Sequence, residues 1–393
     1  MSTKKYAYVN SEMLVWARST TPFVSTHDVQ DRINIAYNKV DDWEKGKDYP
    51  SITEAKKLAN LYKVPFAAFF LPTPPSIDPR PYTDRRTKRN ALYGPISYEL
   101  WSEIGRVIGN RDRLIDLVDE EELELYEAIP VVKDNATVEE ISLAIRNFLG
   151  ITLPFKNKTA YGANSYKYYR KVFENKGILV CQITGVSVDE MKGISISYDS
   201  YPIIAVNNKD YERAKAFSLF HELAHLVRRS SSLCLIDFDE RNDAEEKKCD
   251  AIAAEVMMPK AAFISLASEA LNRYNSYSED CLNYIADRFG VSVFSVIRRL
   301  HNIKLIDDEV YSSMYDEYSR KFEENQAEID INNENRENHI PYHFRFLNKE
   351  GYLYTRTIMN SYSKGYISLG ELCNTLGIKR SHIDNMERAV MSI

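Results

Sequence analysis

Phe217-Ser-Leu-Phe-His-Glu-Leu-Ala-His-Leu-Val227 is the stretch on which the fold of this chain turns. Its apolar residues recur with helical spacing, which predicts a buried helix. His221 and His225 are four apart, so both imidazoles leave the same side of that helix, one turn above the other. Two such rings can share one tetrahedral ion, and Glu222 stands where it can take a proton from an attacking water. Two neutral imidazoles beside a carboxylate are costly to bury without a compensating ligand, which weighs against a purely structural helix.

A catalytic ion of this kind takes three protein ligands and keeps one position open, so a further donor is expected downstream. The segment Glu246-Lys-Lys-Cys-Asp-Ala-Ile-Ala-Ala-Glu-Val-Met-Met-Pro259 offers one. Cys249, Ile252, Ala253, Val256 and Met257 form an apolar helical stripe that stops at the proline. Glu246 lies one turn before Cys249 and two before Ala253, on the face expected to meet the His221 helix, where small Ala253 and Ala254 permit close approach. Glu245 is one residue off that face and Glu255 lies further along, so both are weaker candidates. The plain alternative for Glu246 is a solvated carboxylate in a first helical turn, favoured by the macrodipole. Cys249 is either a soft ligand or a small buried group, and burial is the commoner fate.

The run Ala214 to Val227, followed by Glu246-x-x-Cys-Asp-x-x-Ala-Ala-x-x-Met-Met-Pro259, resembles the ImmA/IrrE family of bacterial and phage metallopeptidases. Lys176-Gly-Ile-Leu-Val180, Gly193-Ile-Ser195 and Tyr201-Pro-Ile-Ile-Ala-Val-Asn207 are similar to the strands ahead of its active-site helix. Arg288-Phe-Gly-Val-Ser-Val-Phe-Ser-Val-Ile-Arg-Arg-Leu300 is similar to a helical element after it. The resemblance implies that His221, His225 and Glu246 hold zinc, with manganese also suited to a His-His-Glu set, and that Glu222 is the general base. It implies hydrolysis of a peptide bond, with an extended substrate paired to a strand edge near Ser195 to Asn207. Ile252 replaces a commoner aromatic and Asp250 a commoner asparagine, and neither is expected to touch the chemistry. Tyr198, Tyr201 and His301 are the candidates for steadying the oxyanion, with a surface or core role as the plain alternative for each.

The start of the chain carries a second pattern. Short amphipathic helices are expected over Met13 to Arg18, Thr26 to Ile33, Asn38 to Lys45 and Thr53 to Tyr62. With Trp43-Glu-Lys-Gly46 and Pro50, this order is similar to Xre/Cro-type helix-turn-helix domains. The segment equivalent to a reading helix offers Asn38 and Lys39 as DNA or partner contacts, followed at once by Asp41 and Asp42. The first seventy residues hold ten basic and eight acidic side chains, so the electrostatic footprint for DNA is weak and docking to a partner protein is favoured.

A net charge of -6 excludes a chain-wide nucleic-acid surface. Five cysteines with no Cys-x-x-Cys pattern fit thiols in a reducing cytosol. The first ten residues lack the apolar core of a secretory signal and no apolar run approaches a membrane span, so a soluble, cytoplasmic protein without membrane contact is expected.

The proline-rich run Pro72 to Pro81 ends the first domain, and the basic Asp84-Arg-Arg-Thr87 follows it. Helical periodicity over residues 97 to 127, edged by the acidic Asp119 to Glu122, predicts a connecting helix. Helices over Val138 to Leu149 and Tyr166 to Glu174 precede the strands. A mobile loop is expected from Arg228 to Asn242, with Cys234 in it. The acidic, Asn-rich stretch after residue 305 predicts a solvated helix fading into a flexible linker, and a compact helical appendage follows.

The expected fold is α+β and mainly helical: an N-terminal helix-turn-helix bundle (1–75), a linker and connecting helix (76–127), a zincin-like metallopeptidase domain with a small sheet (128–305), an acidic linker (306–340) and a C-terminal helical appendage (341–393). Two functions fit. One is a zinc-dependent site-specific endopeptidase that cuts a regulatory protein such as a repressor. The other is an antitoxin or transcriptional regulator that binds and neutralises a toxin without turnover.

Overall fold

The computed structural model describes residues 5–75, 96–119, 126–133, 135–155, 165–228, 240–334 and 341–391, with backbone alone for 240–243 and 323–334. It divides into two compact units, Met1–Arg106 and Val107–Ile393.

The first unit opens with α1 (Ser11–Ser19), α2 (Thr26–Ile33), α3 (Lys39–Glu44) and α4 (Ile52–Tyr62), then a 3-10 turn, Phe66–Phe70. Helix starts are written in the chain: Asn10 caps α1, while Ser25 with Asp28 and Ser51 with Glu54 form reciprocal capping boxes on α2 and α4. Each such cap contributes about 1 kcal/mol. The helices close over Leu14, Ala17, Trp43, Leu58, Tyr62 and Phe69, all buried.

Periodicity puts Leu100, Ile104, Ile108, Leu114, Ile115 and Val118 on one face of the connecting helix, α5 (Tyr98–Ile115); the first four are buried, while Ile115 and Val118, the latter past the helix end, are half-buried. The helix stops twelve residues short of the expected end at 127. Asp116 and Asp119 place negative charge past its C-terminal end, where the helix dipole opposes it.

The second unit continues with α6 (Val138–Leu149) and α7 (Ser165–Glu174), then strands β1 (Leu179–Ile183), β2 (Gly193–Ile196) and β3 (Ile203–Asn207). The sheet order is β1-β3-β2, with β3 parallel to β1 and antiparallel to β2. This corrects the strand edge expected from Ser195 to Asn207. β3 is the paired centre, all five of its residues buried, and the edges are β1 and β2, of which β2 carries Ser195. A run of apolar residues alone does not distinguish a central strand from an edge one.

Helices α8 (Glu212–Arg228) and α9 (Glu240–Met257) pack on each other, and α8 also rests against α7, β2 and β3. Then follow α10 (Lys260–Tyr274), α11 (Glu279–Phe289), α12 (Val293–Asn302) and α13 (Asp308–Glu334). The core beneath α8 is aromatic: Phe220 meets Tyr169 and Phe173 edge-on at 4.7 and 5.3 Å. On the far side of α9, Ser142 and Arg146 of α6 donate to the Ile252 and Glu255 carbonyls. Arg299 of α12 pairs with the Glu255 side chain. Glu255 is therefore a structural anchor.

The C-terminal appendage comprises α14 (Tyr342–Glu350), α15 (Tyr352–Ser363), α16 (Leu369–Leu376), a 3-10 turn and α17 (Ile383–Met391). It packs against β1. Buried Arg170 donates to the Val180, Leu347 and Asn348 carbonyls, all at 2.9 Å, and buried Glu174 accepts the Tyr352 N–H at 3.0 Å. Gly351, at φ +98°, leaves no room there for a side chain: a Cβ would lie 2.7 Å from Glu174 Oε1.

Cys181, Cys249 and Cys281 are buried and Cys373 is half-buried. Cys234 and the segment Asp84 to Thr87 lie outside the described residues. Among the described residues no single helix is long and apolar enough to cross a membrane.

Candidate metal centre

The α8 and α9 helices pack closely on each other, and Ala224 and Ala253 are fully buried. That close approach brings the predicted side chains together. His221 Nε2 lies 3.0 Å from Glu246 Oε2, His225 Nε2 lies 3.3 Å from Glu246 Oε1, and the two Nε2 atoms are 3.1 Å apart. The three residues form a group able to hold one metal ion.

The donor chemistry fits a cation. Ligands on a tetrahedral ion at about 2.1 Å stand roughly 3.4 Å apart, close to the separations observed. Two imidazole nitrogens facing each other at 3.1 Å repel unless a proton or a cation lies between them. Without a metal, a proton does this work. Burial disfavours the charged His221 ring, but the hydrogen bonds it donates to Asp250 and Glu246 outweigh it and raise its pKa to about 9. Burial would lift the Glu246 carboxyl, yet His221 and His225 hold it down at about 2.

Each ring is also gripped from behind. His221 Nδ1 meets Asp250 Oδ1 at 2.9 Å, and His225 Nδ1 meets Cys249 Sγ at 3.5 Å. A ring that donates from Nδ1 turns its Nε2 lone pair inward, which is the tautomer a metal needs. One face of α9 thus supplies Glu246, Cys249 and Asp250 at positions i, i+3 and i+4. The expectation that Asp250 stays clear of the chemistry is corrected by its contact with His221. Ile252, by contrast, is core. Helix α9 also begins at Glu240, so Glu246 lies beyond the first turn, where the macrodipole alternative loses its force.

His225, Glu245 and Cys249 form a second group with metal-ligand types. It is less suited to an ion: Arg228 grips Glu245 at 2.5 and 2.7 Å, and burial raises the Cys249 thiol pKa despite its contact with His225.

Glu222 is buried at the floor of the group, 6% exposed, against the edge strand. A Cβ on Gly193 would lie 2.8 Å from Glu222 Oε1, so glycine at that position lets the carboxylate sit against β2. Burial raises the Glu222 pKa, which both imidazoles partly offset. The Ser195 hydroxyl lies beside it and lowers it further, though without a well-formed hydrogen bond.

The other sequence candidates stand elsewhere. Tyr198 lies under the Arg111 guanidinium at 3.6 Å, the Tyr201 ring packs on Tyr126, and His301 pairs with Asp308. None of these contacts joins them to the His221 group. In the first unit Asn38 precedes α3 in the left-handed conformation, φ +64°, and Lys39 Nζ is held by Asp48 at 2.7 Å.

Residues 173–301 match the Peptidase_M78 family model, described as IrrE N-terminal-like domain, and the matched span contains all of the cluster. No curated protein and no solved structure is significantly similar to the chain. The match supports an ImmA/IrrE-type metallopeptidase region between residues 173 and 301 of this chain.

Proposed function

We propose that the protein is a zinc-dependent site-specific endopeptidase that cuts a regulatory protein. The observation that carries this reading is the convergence of His221, His225 and Glu246 beside a buried Glu222. In this reading the first three hold the ion, and zinc suits their nitrogen and oxygen donors. A divalent cation held there would polarise the scissile carbonyl and acidify a water.

Glu222 takes the proton of the attacking water as the new C–O bond forms, then delivers it to the amine as the C–N bond breaks. Burial raises its pKa, which favours its taking up that proton. Asp250 and Cys249 keep the two rings aimed inward. The substrate backbone pairs with β2. The Asn207 N–H donates to the Lys192 carbonyl at 2.9 Å. Alternation along the antiparallel ladder then turns the N–H and C=O groups of Gly193 and Ser195 outward, beside Glu222.

For the Xre-like head we favour a partner protein over DNA. Lys39, Lys45 and Lys47 are each paired with an aspartate, Asp48, Asp41 and Asp42, which leaves little basic surface for phosphates. This also keeps a stoichiometric role, neutralising a toxin, as the second reading.

The test uses zinc-loaded full-length protein and Glu222→Gln with whatever protein co-purifies. New peptide termini produced by the wild type and absent with the variant support the peptidase. A stable complex, uncut by both, supports the antitoxin.

A further inference from the structure

The turn between β2 and β3 is held from outside the sheet by one arginine. Arg111, in the second half of α5, donates from Nη2 to the Ser200 carbonyl at 2.8 Å and from Nε to the Tyr201 carbonyl at 3.3 Å. The same guanidinium lies 3.6 Å over the Tyr198 ring. Three of the turn's residues thus rest on one side chain, itself only 14% exposed. The neighbouring Asp112 carboxylate, 60% exposed and 3.5 Å away, competes weakly for it. Tyr201 closes the turn with φ +54°, buried, its ring edge-on to Tyr126 at 5.6 Å.

What this turn carries gives the contact its meaning. Among the described residues β2 is paired to a strand on one side only, so its position depends on four residues of ladder, on its packing against α8 and on its two ends. One end, Gly193, abuts Glu222; the other runs into the turn that Arg111 holds. A planar guanidinium with two parallel donors and a stacked ring fixes direction as well as distance, which a lysine ammonium does not.

Resting on the peptidase reading above, we propose that Arg111 is a positioning residue for the substrate, fixing the β2 edge on which an extended peptide pairs beside Glu222. It touches neither the ion-binding group nor the scissile bond. Its loss lets the far end of β2 shift, which weakens pairing along the strand and leaves the His221 group intact.

Two hydroxamates separate these effects on the zinc-loaded full-length chain. Acetohydroxamate reads the ion site alone, and a tripeptidyl hydroxamate reads the ion site plus the strand edge. Arg111→Ala is expected to weaken the tripeptidyl probe about tenfold, equal to one or two lost hydrogen bonds, and to change acetohydroxamate less than about twofold. Arg111→Lys, which keeps the charge and one donor, is expected to fall between and carries the test if the alanine variant does not fold. Hydrogen exchange in the metal-free protein should quicken over residues 193–201 in the variants and stay unchanged over β1. Equal weakening of both probes, or no change in the tripeptidyl probe or in exchange, overturns the proposal. A wild type that binds neither probe sinks the hydrolase reading and this inference with it. A wild type that binds only acetohydroxamate sinks the inference alone.

Discussion

Two regions of the molecule carry polar side chains that sequence reasoning marks as functional, and they resolve their charges in opposite ways. On α3 and just after it three lysines each find an aspartate: Lys39 with Asp48, Lys45 with Asp41, Lys47 with Asp42. Between α8 and α9 two Nε2 atoms converge at 3.1 Å with two carboxylates near them, an approach that holds only with a proton or a cation between the rings. A surface that settles its own charges offers little to phosphates. A partly buried set of electron-rich atoms aimed at one point draws in a proton or a cation, and this contrast distinguishes a ligand site from a solvated face.

The largest effects should come from removing a member of the converging set. His221→Ala or Glu246→Gln is expected to lose the zinc that the wild type keeps through dialysis, as read by elemental analysis. Glu222→Gln should keep the metal and lose about 10²–10⁴-fold in turnover, as for other general bases. If Glu222→Gln also lost the metal, the division of labour between ligands and base would be wrong.

Gly193→Ala comes next. Its Cβ would meet Glu222 Oε1 at 2.8 Å and Cγ at 3.1 Å, so the carboxylate or the edge strand must shift. A loss of about 1–3 kcal/mol in stability is expected by thermal or denaturant unfolding, with turnover falling further than stability alone explains. Asp250→Ala should cost about 10–100-fold in zinc affinity, measured by chelator competition, because His221 loses the group that orients its ring.

Proton competition sharpens the same comparison. Metal binds the neutral ring, while His221 in the metal-free protein stays protonated up to about pH 9. Apparent zinc affinity should therefore rise about tenfold per pH unit as pH climbs toward 9 and level off above it. Stability of the metal-free protein should follow the same ring in the other sense. The raised pKa stabilises below the unfolded value of 6.5, and that contribution is lost as pH rises from 6.5 through about 9. The smallest effect is expected at the other region. Lys39→Ala should alter stability by no more than ~0.5 kcal/mol, since its ion pair is exposed. A gel shift that weakens steeply with salt and is abolished in this variant would break the contrast.

Spacing made much of this legible. His221, Glu222 and His225 needed only the helical repeat, and Glu246 needed the apolar stripe of α9 to assign its face. The strands near 180, 195 and 205 were legible from their apolar runs, whereas their order was not, because pairing is decided by partners distant in sequence. Asp250 and Cys249 share the i+3 and i+4 spacing from Glu246. That spacing could have marked them, but their role depends on how closely α8 and α9 approach. Arg111 left no signal, since its acceptors are carbonyls some ninety residues away, and backbone acceptors have no sequence signature.

Diffraction from crystals of the zinc-loaded protein, collected on both sides of the zinc edge, reaches the central claim most directly. One anomalous peak is predicted at about 2.0–2.2 Å from His221 Nε2, His225 Nε2 and a Glu246 oxygen together. A peak held instead by Cys249 and Glu245, or crystals of metal-soaked protein with no peak beside His221, would contradict the account.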